Sequence, residues 1–124
     1  MQRKAVGSGG TSPYSPAIIA SGDFVFVSGQ VGSDPSTRET PVDVESQTKI
    51  AIERIKAILE QAGTSLDKVV RTNVYLTDMG DFQKMNGVYR TYFPCIPPAR
   101  TTVGVSALSA PKFLVEIDVV ALVK

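Results

Sequence analysis

Apolar residues along this chain switch between two periods, and the switches mark out its elements. Short apolar runs from Ala17 to Ala20 and from Phe24 to Ser28 flank "SGD", the composition of a tight turn, so an opening β-hairpin is predicted. The stretch "GSDPSTRETP" that follows is dense in turn formers and reads as a solvated loop. Between Val44 and Ala62 the residues Ala51, Ile55, Ile58, Leu59 and Ala62 recur at helical spacing, with Gly63 as a natural stop. "KVVRTNVYLTD" then carries Val, Thr and Tyr at strand density. In "DFQKMNGVYRTYF" the spacing of Phe82, Met85, Val88 or Tyr89, and Tyr92 predicts a second helix, with Asp81 as its N-cap. Pro94, Pro97 and Pro98 end that helix and stiffen the approach to a strand in "RTTVGVSAL", and "KFLVEIDVVALV" closes the chain as another.

The resulting order, β-β-α-β-α-β-β, predicts an α+β architecture with two helices over one face of a mixed β-sheet. No linker divides it, so residues 1–124 are expected to form a single domain. In the closing strand Phe113, Val115, Ile117, Val119 and Ala121 share one face, and Leu114, Glu116, Asp118, Val120 and Leu122 share the other. Both faces are largely apolar. Two helices cover only one of them, so the other calls for a cover, most economically a copy of the same protein. A homo-oligomer with its sheets facing inward is expected.

Composition narrows the chemistry. Thirteen basic against twelve acidic residues leave a formal charge of +1, too little to hold a polyphosphate or an anionic membrane through a global field. The single cysteine, Cys95, excludes an intramolecular disulfide and fits a reducing compartment. No signal peptide or membrane-spanning run is evident, so a soluble, cytoplasmic protein is expected. Histidine is absent, which removes Ser-His-Asp and Cys-His sites and any zinc centre built from histidine and cysteine. Acid–base work falls to carboxylates, Tyr, Lys or water, and no metal site is expected.

Against that background a few residues stand out. Glu116 lies within an apolar run, where a carboxylate needs a cation, donors or water, although an exposed edge or a structural ion pair would also accommodate it. Asp118, two residues on, reads as structural. Arg100, in "PPAR", begins a strand expected to neighbour that of Glu116, so the two could share a pocket; a surface salt bridge is the plainer account. Its planar fork suits a carboxylate, held by two charge-assisted hydrogen bonds. Tyr14 sits between Pro13 and Pro16 on a constrained segment, Ser28 and Gly29 end a strand where backbone can approach a ligand, and Asn86 is a polar residue in an otherwise apolar helix pattern. Packing, turn formation and surface exposure are their ordinary readings. "SGQVGS" lacks the helix that a phosphate-binding turn needs, and Lys49, Arg54 and Lys56 read as a solvated helix face.

Taken together, "SPYSPAI", "VFVSGQVG", "RTNVYLTDMGDF", "NGVYRTYFPCIPPARTTVGVSAL" and "FLVEIDVVALV" resemble the RidA/YjgF-type reactive-intermediate deaminases over nearly the whole chain. The resemblance implies a chorismate-mutase-like subunit, a homotrimer, and a cofactor-independent pocket in each cleft between subunits. It further implies hydrolysis of small 2-imino or 2-enamino acids, of the 2-aminoacrylate and 2-iminobutyrate type, to 2-keto acids and ammonia. Arg100 matches the residue that clamps the substrate carboxylate, and Glu116 the acid that positions the attacking water. Tyr14 matches the ring that closes over the ligand, while Ser28, Gly29, Asn86 and Thr102 fall at lining positions. Three positions depart from the pattern: Thr102 where Cys is common, Gly104 where Glu is frequent, and Pro16 where Gln is usual. Thr102 retains a hydroxyl and a backbone group for hydrogen bonding.

Two other functions compete with the deaminase: a non-catalytic protein that binds a small carboxylate in the same cleft, and an RNA-cleaving translation inhibitor. Near-zero net charge and the missing histidine argue against the latter. No nucleic-acid or membrane partner is therefore expected.

Overall fold

The computed structural model describes residues 3–7 and 11–123. Its first helix, α1 (Val44–Gln61), is fixed at both ends by local chemistry. Asp43 is extended and its carboxylate accepts a hydrogen bond from the Ser46 amide at 2.9 Å, satisfying one of the free amides of the first turn. At the far end Gly63 turns left-handed (φ 83°), and the Gly63 and Thr64 amides donate to the Glu60 and Leu59 carbonyls. Val44, Thr48, Ala51, Ile52, Ile55 and Leu59 form the buried stripe between.

The second helix, α2 (Phe82–Tyr92), buries Met85, Asn86 and Tyr89. Asp81 precedes it but makes no capping bond; Asp78 instead caps the short 3-10 turn before it, accepting from the Gly80 amide. Both helices lie on one face of a four-stranded mixed sheet, and its buried side chains Val74, Leu76, Val115, Ile117, Val119 and Ala121 join theirs in one core.

The strands are β1 (Arg3–Val6), β2 (Ala17–Ala20), β3 (Phe24–Val31), β4 (Val69–Leu76), β5 (Ala99–Gly104) and β6 (Val115–Leu122). The sheet runs β3-β6-β4-β5, antiparallel except for the β4/β5 pair, which α2 connects as a crossover. Two sequence expectations fail here. The opening hairpin does not form, because β2 pairs with β1 (Val6↔Ala17, Arg3↔Ala20) while β3 pairs with β6. A turn signal says where the chain bends, not whom each strand meets, and β3 gains a longer partner in β6. Nor does the strand of Arg100 neighbour that of Glu116: β4 lies between them. The strand that is apolar on both faces takes the middle of the sheet, and the threonine-bearing β5 is left outside.

The face opposite the helices remains open in the single chain. Phe26 is 75 % exposed there, Val103 40 %, and Glu116, Asp118 and Val120 are half-buried. No helix among the described residues is long and apolar enough to cross a membrane.

Candidate functional site

Arg100 enters β5 directly from "PPAR", and its neighbourhood is assembled by stitching a distant segment onto that entry. The Ser15 amide donates to the Pro98 carbonyl at 3.1 Å, the Ser15 hydroxyl donates to the Pro97 carbonyl, and Ser15 bridges Ala99 in parallel. This brings the ring of Tyr14 to 5.5 Å from the Arg100 guanidinium carbon. From α2, Phe82 and Tyr89 approach the same carbon at 5.7 and 4.7 Å. Tyr89 is pinned in turn by a 2.8 Å hydrogen bond between its hydroxyl and Thr72 Oγ1, and Thr72 stands opposite Arg100 in the β4/β5 register.

The guanidinium is thus surrounded by π faces, which attract its charge but leave the edges of the fork unfilled. Burial lowers its pKa from the ordinary arginine value, with Tyr89 and Tyr14 acting to raise it and Arg90 to lower it. Burial likewise pushes the Tyr89 phenol up to about 12, against the hydrogen bond to Thr72 and the charge of Arg100. Three buried polar atoms lack a hydrogen-bond partner around this point: Arg100 Nη1, Thr102 Oγ1 and Asn86 Oδ1. Thr102 follows Arg100 on the same strand face. Asn86 lies between Phe82 and Tyr89 at spacings of four and three, hence on the stripe that faces Arg100. Its default reading as a surface position is overturned, since it is only 6 % exposed. Buried polar groups normally find partners, so such a cluster, led by a fixed cation, is suited to an anion bearing several acceptors.

Glu116 belongs to a second cluster. β3 carries a bulge between Val27 and Gln30, which places Ser28 and Gly29 out of register with β6. The Glu116 side chain occupies the space above Gly29; a Cβ added there would lie 2.7 Å from the Glu116 carboxyl carbon. Beside it Asp118 accepts hydrogen bonds from Asn73 Nδ2 at 2.9 Å and from the Tyr75 hydroxyl at 3.0 Å.

The register sets the relation between the clusters. Arg100 pairs with Thr72, whose side chain is on the helix-covered face; Glu116 pairs with Tyr75, on the open face. Within one chain Tyr14 meets Arg100, with Asn86 on the facing helix stripe and Thr102 on the same strand face, and Glu116 meets Gly29, next to Ser28 in the chain, but the two sets face opposite sides of the sheet. A pocket formed from both within one chain is excluded. Phe82, Tyr89 and Thr72 carry no site reading in the sequence, where the aromatic pair only marks the helical period, although its spacing with Asn86 puts all three on one helix stripe.

A cleft of about 470 Å³ between residues 11–15 and the 93–97 loop is lined by Ser15, Arg90, Cys95 and Pro97, but by none of Tyr14, Asn86, Arg100, Thr102 and Glu116. No group of three or more acidic or cysteine side chains able to hold a metal ion occurs among the described residues.

The profile of the family described as Endoribonuclease L-PSP matches residues 8–123. A RutC family protein of Pyrococcus abyssi is 52 % identical over 111 residues, covering 88 % of this chain and 85 % of that protein. Among solved structures, the YjgF gene product of E. coli is similar with a TM-score of 0.78 and 30 % identity, covering 98 % and 99 % of the two chains. YyfB, of the conserved Rid protein family, from Yersinia pestis, is similar with a TM-score of 0.86 and 25 % identity over 98 % and 99 %.

Proposed function

Because the chain belongs to this Rid/YjgF family, whose profile spans residues 8–123, we propose that it is a cofactor-independent deaminase of small 2-imino and 2-enamino acids, working in a cleft between two copies of itself. The observation that carries the reading is the cluster of orphaned polar atoms, Arg100 Nη1, Thr102 Oγ1 and Asn86 Oδ1, in an aromatic pocket with a permanent cation. Arg100 and Thr102 of one copy hold the substrate carboxylate, and Tyr14, 39 % exposed at the rim, closes over it. Glu116 of an adjoining copy supplies the acid–base group, with Ser28 and Gly29 beside it.

Glu116 takes a proton from water as the oxygen attacks the C=N carbon, giving a carbinolamine. It gives that proton to the nitrogen, then carries the carbinolamine's hydroxyl proton to the same nitrogen as the C–N bond breaks, so that ammonia departs and a 2-keto acid remains. An enamine is first protonated at its carbon to give the imine. Such acid–base help is worth roughly 10²–10⁴ in rate. Opposite-facing clusters fit a cyclic homotrimer, in which the open face of each copy meets the Arg100 edge of the next.

The test mixes Arg100→Ala and Glu116→Ala chains by co-expression and follows 2-iminobutyrate, generated in situ by threonine dehydratase. Each variant alone should be nearly inactive, while random mixing restores about a quarter of the clefts. No restoration would sink the shared cleft. Decay no faster than without protein, for the unaltered chain, would leave a binding protein for small carboxylates. The endoribonuclease description of the family raises RNA cleavage as well; that reading requires binding that weakens steeply with salt, and a flat response disposes of it.

A further inference from the structure

Arg54 and Gln30 belong to neither charged cluster, yet they meet behind the one that holds Glu116. Read from the sequence as part of a solvated helix face, Arg54 is half-buried and turned from α1 onto the end of β3. Its Nε donates to Gln30 Oε1 at 3.1 Å, and its Nη1 donates to the Ser33 carbonyl at 2.7 Å. Because a guanidinium has only donors, it fixes the Gln30 amide with its oxygen toward Arg54, and the Nε2 donor is left facing the chain. That nitrogen donates to the Ser28 carbonyl at 3.2 Å. Two turns earlier on α1, Gln47 packs so closely on Gly32 that a Cβ added there would lie 2.4 Å from the Gln47 Cβ. Helix α1 therefore grips the end of β3 around Ser28, Gly32 and Ser33, the first of them through Gln30.

The gripped stretch contains the bulge. Val27 pairs with Val119 and Gln30 with Ile117, so Ser28 and Gly29 together oppose the single residue Asp118. Gln30, opposite a core residue, projects to the helix-covered side, whereas Glu116 lies over Gly29 on the open side. A bulge leaves one residue out of the ladder, so backbone bonds alone fix its shape less tightly and side chains must supply the restraint. We propose that Arg54 and Gln30 are positioning residues for Glu116: from behind the sheet they hold the bulge in the shape that seats the Glu116 carboxylate over Gly29. The inference rests on the reading of Glu116 as the group that exchanges a proton with water. Neither residue needs to touch substrate. Their effect comes through geometry, since a reacting group misplaced by about 1 Å can lose on the order of 10²-fold in rate. Arginine suits the task because its fork spans two acceptors at once, where lysine presents a point charge.

The experiment compares Arg54→Met, which keeps the apolar stem and removes both donors, with Gln30→Leu, which removes the amide at similar size. With 2-iminobutyrate generated in situ, each should lower kcat about tenfold, with KM within about twofold. Combined with Gly29→Ala, which displaces the same carboxylate, Arg54→Met should lose no more than about a further twofold. Full multiplication of the two losses, or a kcat unmoved in either single variant, overturns the proposal. Arg54→Lys keeps the charge without the fork and should resemble Arg54→Met; full activity would assign the effect to charge and sink the bracket. NMR relaxation on the full chain reads the bulge without turnover. In Arg54→Met the order parameters of the Ser28 and Gly29 amides should fall from the rigid value of about 0.85 toward about 0.6, while those of β4 stay rigid. Order parameters unmoved in the folded variant overturn the proposal whether or not imines are hydrolysed. A loosened bulge, with no imine turnover by the unaltered chain, would instead support the bracket and remove the proposed reaction.

Discussion

The Arg100 pocket and the Glu116 patch place a charge on the two sides of one sheet in opposite ways. Arg100, itself half-buried, sets its guanidinium against three aromatic rings, with one fork nitrogen buried and unfilled. A cation–π contact in a desolvated setting is worth about 2 kcal/mol, but an unsatisfied buried donor costs about 1–3 kcal/mol, so the pocket stores binding capacity at the expense of stability. Glu116 stays half-buried on the open face, backed by glycine and flanked by an internally satisfied network. The difference matches chemical need. A group that binds through permanent charge gains from a dry, rigid surround, whereas a group that trades protons with water must keep contact with it.

Substitutions can break this contrast. Glu116→Gln should lower kcat by roughly 10²–10⁴ with KM little changed, because the proton exchange matters most as water attacks. Arg100→Ala should act chiefly on KM, raising it on the order of 10²-fold, since charge-assisted hydrogen bonds contribute about 1.5–3 kcal/mol each and bind ground and transition states alike. Steady-state kinetics with the two effects exchanged would dissolve the division of roles.

A finer probe is Gly29→Ala. The nearest atoms the new methyl meets all belong to the movable Glu116 side chain, so the fold should survive with a nearly unchanged melting temperature. Displacing that carboxylate by about 1 Å should still lower kcat by on the order of 10²-fold, with KM nearly constant. Unchanged kcat would mean that the position of Glu116 over Gly29 is not the working one.

The smallest effect belongs to the platform beneath Arg100. Tyr89→Phe removes the bond to Thr72 and should cost about 1 kcal/mol in urea unfolding near neutral pH. The same variant tests the alkaline limb. Folding raises the Tyr89 pKa from 10.0 to about 12, so its contribution is complete below pH 10 and is lost as pH rises toward 12, where the unfolded chain ionises first. Tyr89→Phe should flatten that decline. Tyr92, also raised to about 12 but more open to solvent, should contribute less.

Much of this architecture could be read before any coordinates. The limits of α1 followed from an apolar stripe ended by Gly63, and β4, α2, β5 and β6 followed from local periodicity and proline placement. Failure set in where partners had to be chosen. "SGD" announced a bend but not that β2 would turn back to β1; the short link between β5 and β6 suggested adjacency that the apolar character of β6, which claims the sheet centre, overrode. Asn86 was misjudged for the same reason: a helix pattern shows which residues share a stripe, not whether that stripe covers a cation.

The sequence by itself determined the elements, the α+β class and the identity of the charged residues, because hydrophobic period, turn chemistry and capping act over a few neighbouring positions. Only the tertiary structure decided that Arg100 and Glu116 face opposite sides of the sheet. That outcome depends on strand order and register, and a β-strand reverses the face of every side chain with a shift of one residue, a choice settled by the burial of the whole core rather than by any local stretch of chain.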